Sequence, residues 1–90
     1  MKTILVSIHD KTNEDFGPVY MAKNPAAAVR DFSEACQKNE KWKNYPQDFS
    51  ICILGEYETD TGKITPSKEI KILATAEMFV EKEVKDGKKV

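Results

Sequence analysis

Residues 24–39 carry the longest helical pattern in the chain, and segments patterned like β-strands lie on both sides of it. Asn24 is a favoured N-cap residue, and Pro25 suits the first helical position, where its missing N–H costs no hydrogen bond. Small and apolar side chains then recur on one face at helical spacing: Ala28, Val29, Phe32, Ala35 and Cys36. One helix of this length covers one face of a small sheet, so the chain is predicted to be an α+β protein.

The strand predictions come from the alternation of apolar and polar side chains. Residues 3–9 and 48–58 have this pattern, and residues 69–73 repeat it after a hairpin turn in which Gly62 takes the left-handed conformation. Pro66 is expected to limit the start of this last strand. One face of the 48–58 strand is predicted to hold four side chains: Phe49, Ile51, Ile53 and Tyr57.

Shorter segments complete the arrangement. Residues 10–18 are dense in turn formers, residues 18–22 are compatible with a short strand, and residues 38–48 form a polar connection. Residues 74–84 are compatible with a short closing helix. The predicted architecture is a small antiparallel or mixed sheet with one main helix, about 24–39, packed on one face, in a ββαββ-like order.

The size of the chain bounds its organisation. Ninety residues are too few for two independent cores, so residues 1–80 are predicted to form a single α+β domain and residues 81–90 a flexible charged C-terminal tail. Because the main helix covers only one face of the sheet, Leu5, Cys52 and Leu54 leave the other face apolar. A homodimer would bury that face, and we expect one.

Charge and cysteine content restrict the function classes. The chain holds 14 Lys and Arg against 15 Asp and Glu, a net charge of −1, which excludes a strongly basic polyanion binder but not a locally basic surface. The first apolar run ends at His9, too early for a signal peptide or a membrane span. Two cysteines, Cys36 and Cys52, are predicted to be buried free thiols, as expected in a reducing cytosol.

Residues suited to catalysis or metal binding are sparse. His9 and its neighbour Asp10 point to opposite faces of a strand, so the carboxylate cannot orient the imidazole. His9, Cys36 and Cys52 lack the ligand spacing of a metal site, and the four glycines are isolated rather than grouped in a phosphate-binding loop. We therefore expect no enzymatic activity, no metal and no cofactor.

One stretch, residues 38–45, has the character of a binding surface, and we call it the lysine segment. Its three lysines against one glutamate give a local charge of +2, and two aromatic rings lie between them. Such mixtures hold single-stranded nucleic acid, because cations follow the phosphates and rings stack on bases. The predicted DNA-binding residues are Lys38, Lys41, Trp42, Lys43 and Tyr45, with Arg30 in support. The alternative interpretation is that Trp42 and Tyr45 close the end of the helical core and the lysines are merely solvated.

The order of several motifs resembles the small nonstructural protein of gokushovirus-type microviruses, which are phages with a small circular single-stranded DNA genome. The resemblance covers about residues 3–80 and includes Asp10-Lys11, Phe16, Pro18, Tyr20, Asn24, Ala28, Arg30-Asp31-Phe32, Pro46, Asp48-Phe49, Leu54-Gly55, Tyr57, Thr61-Gly62-Lys63-Ile64 and Ala76. It implies a DNA-binding accessory role, like that of the microvirus C protein, in the switch from duplex genome replication to single-strand synthesis and packaging. The implied partners are single-stranded or replicative-form viral DNA, with procapsid or host replication proteins, in the host cytoplasm.

A second hypothesis is a protein-interaction module that acts as an adaptor or inhibitor of a host or procapsid protein. The near-neutral charge of the chain suits this role. Three alternating carboxylates, Glu56, Glu58 and Asp60, would then mimic phosphates or engage a basic partner. A solvated strand edge that discourages aggregation is the other interpretation of these carboxylates.

Overall fold

The computed structural model describes residues 1–80 and contains five strands and two α-helices. The strands are β1 (Lys2–Asp10), β2 (Asp15–Phe16), β3 (Tyr20–Ala22), β4 (Phe49–Glu58) and β5 (Ile64–Thr75). The helices are α1 (Pro25–Lys38) and α2 (Glu40–Asn44), and 3₁₀ turns cover Pro46–Asp48 and Ala76–Met78. The predicted α+β class and the single main helix are confirmed. The predicted tail, residues 81–90, lies outside the described residues.

All strand pairs are antiparallel, and the sheet is ordered β2-β1-β4-β5 with β3 also paired to β1. The two central strands, β1 and β4, are the ones whose sequences are apolar on both sides. β2 and β3 share the outer edge of β1, and β5 forms the opposite edge of the sheet. The short strand β2 falls inside the segment that was expected to be only a turn, and its two residues pair with the last two residues of β1.

Helix α1 begins and packs as its sequence predicts. The side-chain oxygen of Asn24 accepts a hydrogen bond from the backbone N–H of Ala27 at 2.8 Å, and Pro25 is the first helical residue. The helix lies on one face of the sheet, where the buried residues form a single core: Val6, Ala22, Ala28, Phe32, Cys36, Phe49, Ile51, Ala74 and Ala76. The expected helical face is therefore confirmed. No helix within residues 1–80 is long and apolar enough to cross a bilayer.

A β-bulge in β4 changes which side chains share a face. Leu5 pairs with Gly55 while Val6 pairs with Ile53, so Leu54 is an extra residue without a directly opposite partner. Beyond it the alternation is inverted, and Tyr57 pairs with Thr3 on the face opposite α1. The expectation that Tyr57 shares a face with the core isoleucines of this strand is therefore wrong, because a bulge cannot be seen in a period-two pattern.

Gly55 lies next to this bulge, where β4 and β5 approach closely. A Cβ atom built on Gly55 would lie 2.5 Å from the carbonyl oxygen of Thr65 and 3.0 Å from the Cα of Pro66. Pro66 is inside β5, which starts two residues earlier at Ile64, so the prediction that Pro66 limits the strand's start is wrong. An edge strand tolerates proline because its outer backbone groups need no partner strand. Gly62 has φ +79°, as predicted for the hairpin turn.

Residues 38–48, predicted as a polar connection, are mostly helical. Asn39 ends α1 and starts α2, since its side-chain oxygen accepts hydrogen bonds from the backbone N–H groups of Lys41 at 3.0 Å and Trp42 at 3.2 Å. A helix of five residues is too short to show a periodic apolar face in the sequence. Its position depends instead on the packing of Trp42 against the core.

Candidate nucleic-acid interface

The lysine segment spans the last residue of α1, all of α2 and the first residue that follows it. The double role of Asn39 as C-cap of one helix and N-cap of the next sets the direction of α2. The backbone N–H of Tyr45 donates to the carbonyl of Lys41 at 3.0 Å, which closes the short helix. The segment is thus held as an ordered corner at the end of α1 rather than as a loop.

The two aromatic rings of the segment have different environments. Trp42 is half-buried, with its ring centroid 5.4 Å from that of Phe32 and 5.9 Å from that of Phe49. This packing corresponds to the alternative interpretation for Trp42, that it closes the end of the helical core. Tyr45 is 58% exposed and offers its ring to solvent. A stacking contact with a base is therefore available first at Tyr45, and DNA contact by Trp42 stays a prediction.

The cations of the segment are exposed. Within residues 1–80, Lys38, Lys41 and Lys43 form no ion pair, so their charges are available to an anionic ligand. Arg30 is also exposed, but it lies eight residues before Lys38 on α1, about 12 Å along the helix axis. Its side chain is 3.9 Å from the carboxylate of Asp31. The three lysines therefore lie within six residues of the chain, and Arg30 lies at a distance from them.

Two aspartates, which the sequence reasoning did not assign to this surface, lie beside Lys41. Asp10 and Asp48 line a shallow pocket together with Lys41 and Tyr45. Both carboxylates also accept hydrogen bonds from Thr12 in the turn after β1. Asp48 accepts from the Thr12 hydroxyl at 2.9 Å, and Asp10 accepts from the Thr12 backbone N–H at 3.1 Å. An aspartate at the start of a turn commonly accepts from the backbone N–H two residues later, and this local signal could have located Asp10. No comparable signal exists for the long-range contact of Asp48.

The other candidate side chains occupy structural positions. The His9 ring packs at 4.6 Å from the Phe16 ring across the β1–β2 pair. Among the described residues, no group of three or more His, Cys, Asp or Glu side chains is placed to hold a metal ion. Glu58 and Asp60 both accept from the amino terminus, at 2.6 and 2.9 Å, and Glu56 lies 3.8 Å from the ammonium of Lys2. The alternating carboxylates are therefore largely engaged within the protein.

Both cysteines are buried and free, as expected. Burial raises the pKa of the Cys36 thiol to about 11. Burial also raises the pKa of Cys52, although a contact with the Ser50 hydroxyl opposes this shift. The thiolate is the reactive form of cysteine, so two buried, protonated thiols are poorly suited to nucleophilic chemistry or metal binding.

The buried thiols predict how the protein responds to thiol reagents and to alkaline pH. Both cysteines are expected to resist labelling in native buffer and to react once urea unfolds the chain. A raised thiol pKa contributes stability that is fully present below the ordinary pKa of about 8.5 and is lost as the pH approaches 11. Urea unfolding at pH 8 and pH 10.5 measures this loss. Rapid labelling of both thiols in the native protein would contradict their burial.

Comparisons with known proteins show which family this chain belongs to. The model of the family described as "Phage ORF5 protein" matches residues 3–79. The chain is also 26% identical over 91 residues to "Protein ORF5" of Chlamydia phage 1, covering 92% of this chain and 94% of that protein. No solved structure matches the chain. These findings agree with the phage resemblance, and this chain belongs to the phage ORF5 protein family.

Proposed function

We propose that this phage protein binds viral DNA without catalysing a reaction and acts in the switch from genome replication to single-stranded DNA synthesis and packaging. The observation that carries the binding proposal is the ordered lysine segment, in which an exposed tyrosine ring follows three lysines that form no ion pair within residues 1–80. The replication and packaging role follows from the resemblance to nonstructural microvirus proteins. The place of action is the cytoplasm of the bacterial host.

Single-stranded DNA fits the segment better than a groove of duplex DNA does. Helix α2 has five residues, which is too short to lie along a major groove and present several side chains to base edges. An exposed ring in a segment that also carries three lysines instead suits unpaired bases, whose faces are free to stack. Asp10 and Asp48 lower the local positive potential, so we expect moderate affinity that depends strongly on salt.

The test is a titration of a single-stranded oligonucleotide at several salt concentrations, with wild-type protein and the triple variant K38Q/K41Q/K43Q. Each phosphate contact on a single strand contributes about 0.7 to the slope of log K against log salt concentration, so loss of three contacts should reduce the slope by about 2. Tyr45→Ala should weaken binding by about 1–3 kcal/mol through loss of base stacking. A duplex of the same length shows which form of DNA is preferred.

A matched control is the triple variant K2Q/K63Q/K68Q, which removes the same total charge from the sheet. These three lysines are exposed and lie on β1, the β4–β5 turn and β5, outside the lysine segment. If both triple variants lose affinity equally, binding depends on net charge alone and the assignment of the surface is wrong. Absence of any salt-dependent binding by the wild-type protein would contradict the DNA-binding proposal itself.

A protein-interaction module is the second candidate function, and the exposed apolar face of the sheet favours it. Met21 and Ile64 are exposed there, on strands β3 and β5, opposite the face that α1 covers. A host or procapsid protein with an apolar surface would fit this face. Capture of one defined replication or procapsid protein that survives nuclease treatment and is lost in Met21→Glu would support this function over DNA binding.

A further inference from the structure

The face of the sheet opposite α1 carries no Lys, Arg, Asp or Glu at any position that strand pairing fixes within residues 1–80, and we call it the uncovered face. Ile4, Val6 and Ile8 pack in the core beneath α1, so the β1 residues between them lie on the opposite face. Directly opposite residues in a strand pair share a face, which extends the uncovered face across the sheet. Its residues are Thr3, Leu5, Ser7, His9, Phe16, Met21, Ser50, Cys52, Gly55, Tyr57, Ile64, Pro66, Ile72 and Thr75.

The charged residues at the paired positions all lie on the other face, the one that α1 covers. They are Lys2, Asp10, Asp15, Glu56, Glu58 and Lys71. This distribution is the reverse of that in a sheet with one solvated face, where the solvated face carries the polar residues. Four residues of the uncovered face are instead large, apolar and between 44% and 62% exposed in the single chain: Phe16, Met21, Ile64 and Ile72. The uncovered face therefore has the composition of a face that another layer covers.

A second copy of this chain is the occupant that fits the uncovered face. Residues 81–90 include seven charged residues among ten, a composition that does not suit burial on an apolar surface. Like charges brought together across an interface oppose association, and two uncovered faces bring none together at their paired positions. We therefore propose that two copies dimerise through their uncovered faces, with layers in the order helix, sheet, sheet, helix. This is the homodimer that the sequence leads us to expect.

The area of the uncovered face is close to what a dimer needs. Strands lie about 4.8 Å apart and rise about 3.4 Å per residue, so each side chain on one face covers about 33 Å². The fourteen positions thus cover about 460 Å² in each copy and about 920 Å² in two. Side chains that stand out from a sheet have more accessible surface than this flat area. Specific interfaces begin near a total of about 1,000 Å², so we expect a dissociation constant in the micromolar range.

The exposed apolar side chains are spread over the uncovered face. Met21 lies on β3, at one edge of the sheet, while Ile64 and Ile72 lie on β5, at the opposite edge. Ile64 is opposite Tyr57 and Ile72 is opposite Cys52, so the two isoleucines lie at different levels along the strands. Packed sheets lie about 10 Å apart, a distance that side chains from both faces fill. A charge placed on either isoleucine would therefore be solvated in the monomer and desolvated in the dimer.

The test is sedimentation equilibrium of the full chain over a range of micromolar concentrations, with wild-type protein, I64K, I72K and the double variant I64K/I72K. Both isoleucines are exposed in the single chain, so the substitutions leave the core unchanged. Each single variant places two unpaired ammonium groups in the interface, and its dissociation constant should rise by about tenfold or more. The double variant should be monomeric at every concentration. Dimerisation of the wild-type chain should change by less than about threefold between low and high salt, because no charge pair holds it.

The control variant T65K adds the same charge next to Ile64, on the face that α1 covers, where Thr65 is exposed and lies opposite Glu56. Its dissociation constant should stay within about threefold of the wild-type value. Circular dichroism establishes that each variant is folded. A wild-type monomer at every concentration would overturn the proposal and leave the uncovered face to a protein of another sequence. A dimer that I64K/I72K does not weaken, or one that high salt dissociates, would also overturn it.

The dimer proposal does not rest on the DNA-binding proposal. The lysine segment belongs to the helical layer, whereas the uncovered face lies on the other side of the sheet. I64K/I72K can therefore abolish dimerisation while the lysine segment keeps its contribution to the salt slope of DNA binding. Conversely, K38Q/K41Q/K43Q can abolish DNA binding in a protein that still sediments as a dimer.

Discussion

Phe32→Ala is expected to lower the free energy of unfolding by about 3–5 kcal/mol, the cost of removing a fully buried aromatic side chain and leaving a cavity. Phe32 is 1% exposed and lies in the middle of the helix face that covers the sheet. Its ring is 5.4 Å from the Trp42 ring and 6.2 Å from the Phe79 ring, so it packs against α2 and against the segment that follows β5. Small domains have free energies of unfolding near the low end of 5–15 kcal/mol, and this variant should be largely unfolded at 37 °C.

Urea unfolding followed by circular dichroism measures this change at 15 °C, where enough folded protein remains. The matched control is Glu34→Ala on the exposed side of the same helix, which should change stability by no more than about 0.5 kcal/mol. A loss below about 1.5 kcal/mol for Phe32→Ala would mean that the core collapses around the cavity or that the helix does not pack as described.

Trp42→Ala should lower the free energy of unfolding by about 2 kcal/mol, roughly half the cost of a fully buried aromatic residue, because the ring is half-buried. The ring contacts both Phe32 and Phe49, and it is the apolar side chain through which α2 packs on the core. Trp42→Phe keeps most of this contact and should cost less. Without this packing, α2 would no longer be held against the core, and the lysine segment would lose its ordered position at the end of α1.

The two Trp42 variants, together with Tyr45→Ala, separate packing from base stacking. If Trp42 mainly holds α2, Trp42→Phe should bind single-stranded DNA within about twofold of wild type, while Tyr45→Ala should lose 1–3 kcal/mol of binding free energy. The opposite pattern, with an unchanged stability for Trp42→Ala and a full loss of binding, would place the indole on the DNA. Quenching of Trp42 fluorescence on titration reports whether DNA reaches this corner at all.

The elements that the sequence predicts well are those whose signals are local. The start of α1 follows from Asn24-Pro25, and its buried face follows from a spacing that the helix geometry imposes. The turn at Gly62 follows from a residue that tolerates positive φ. These features need no knowledge of the rest of the chain, so they could be placed within one residue.

The errors arise where a distant contact overrides the local pattern. The inverted side of Tyr57 comes from the extra residue Leu54 in the pairing of β4 with β1, and Pro66 is accepted because β5 is an edge strand. Helix α2 forms where the core accepts the Trp42 ring, although its sequence reads as a polar connection. Each of these three features depends on which strand or ring lies opposite the residue, and the amino-acid sequence alone does not reveal that partner.

The sequence alone therefore determined the α+β class, the position of the main helix and the gathering of three lysines within six residues. Only the tertiary structure decided that Trp42 turns toward the core, that Tyr45 stays exposed and that Asp10 and Asp48 lie beside Lys41. The physical reason is range: helix caps and turns act between residues a few positions apart. Burial and electrostatic neighbourhood are set by segments that lie tens of residues apart in the chain and meet only when it folds.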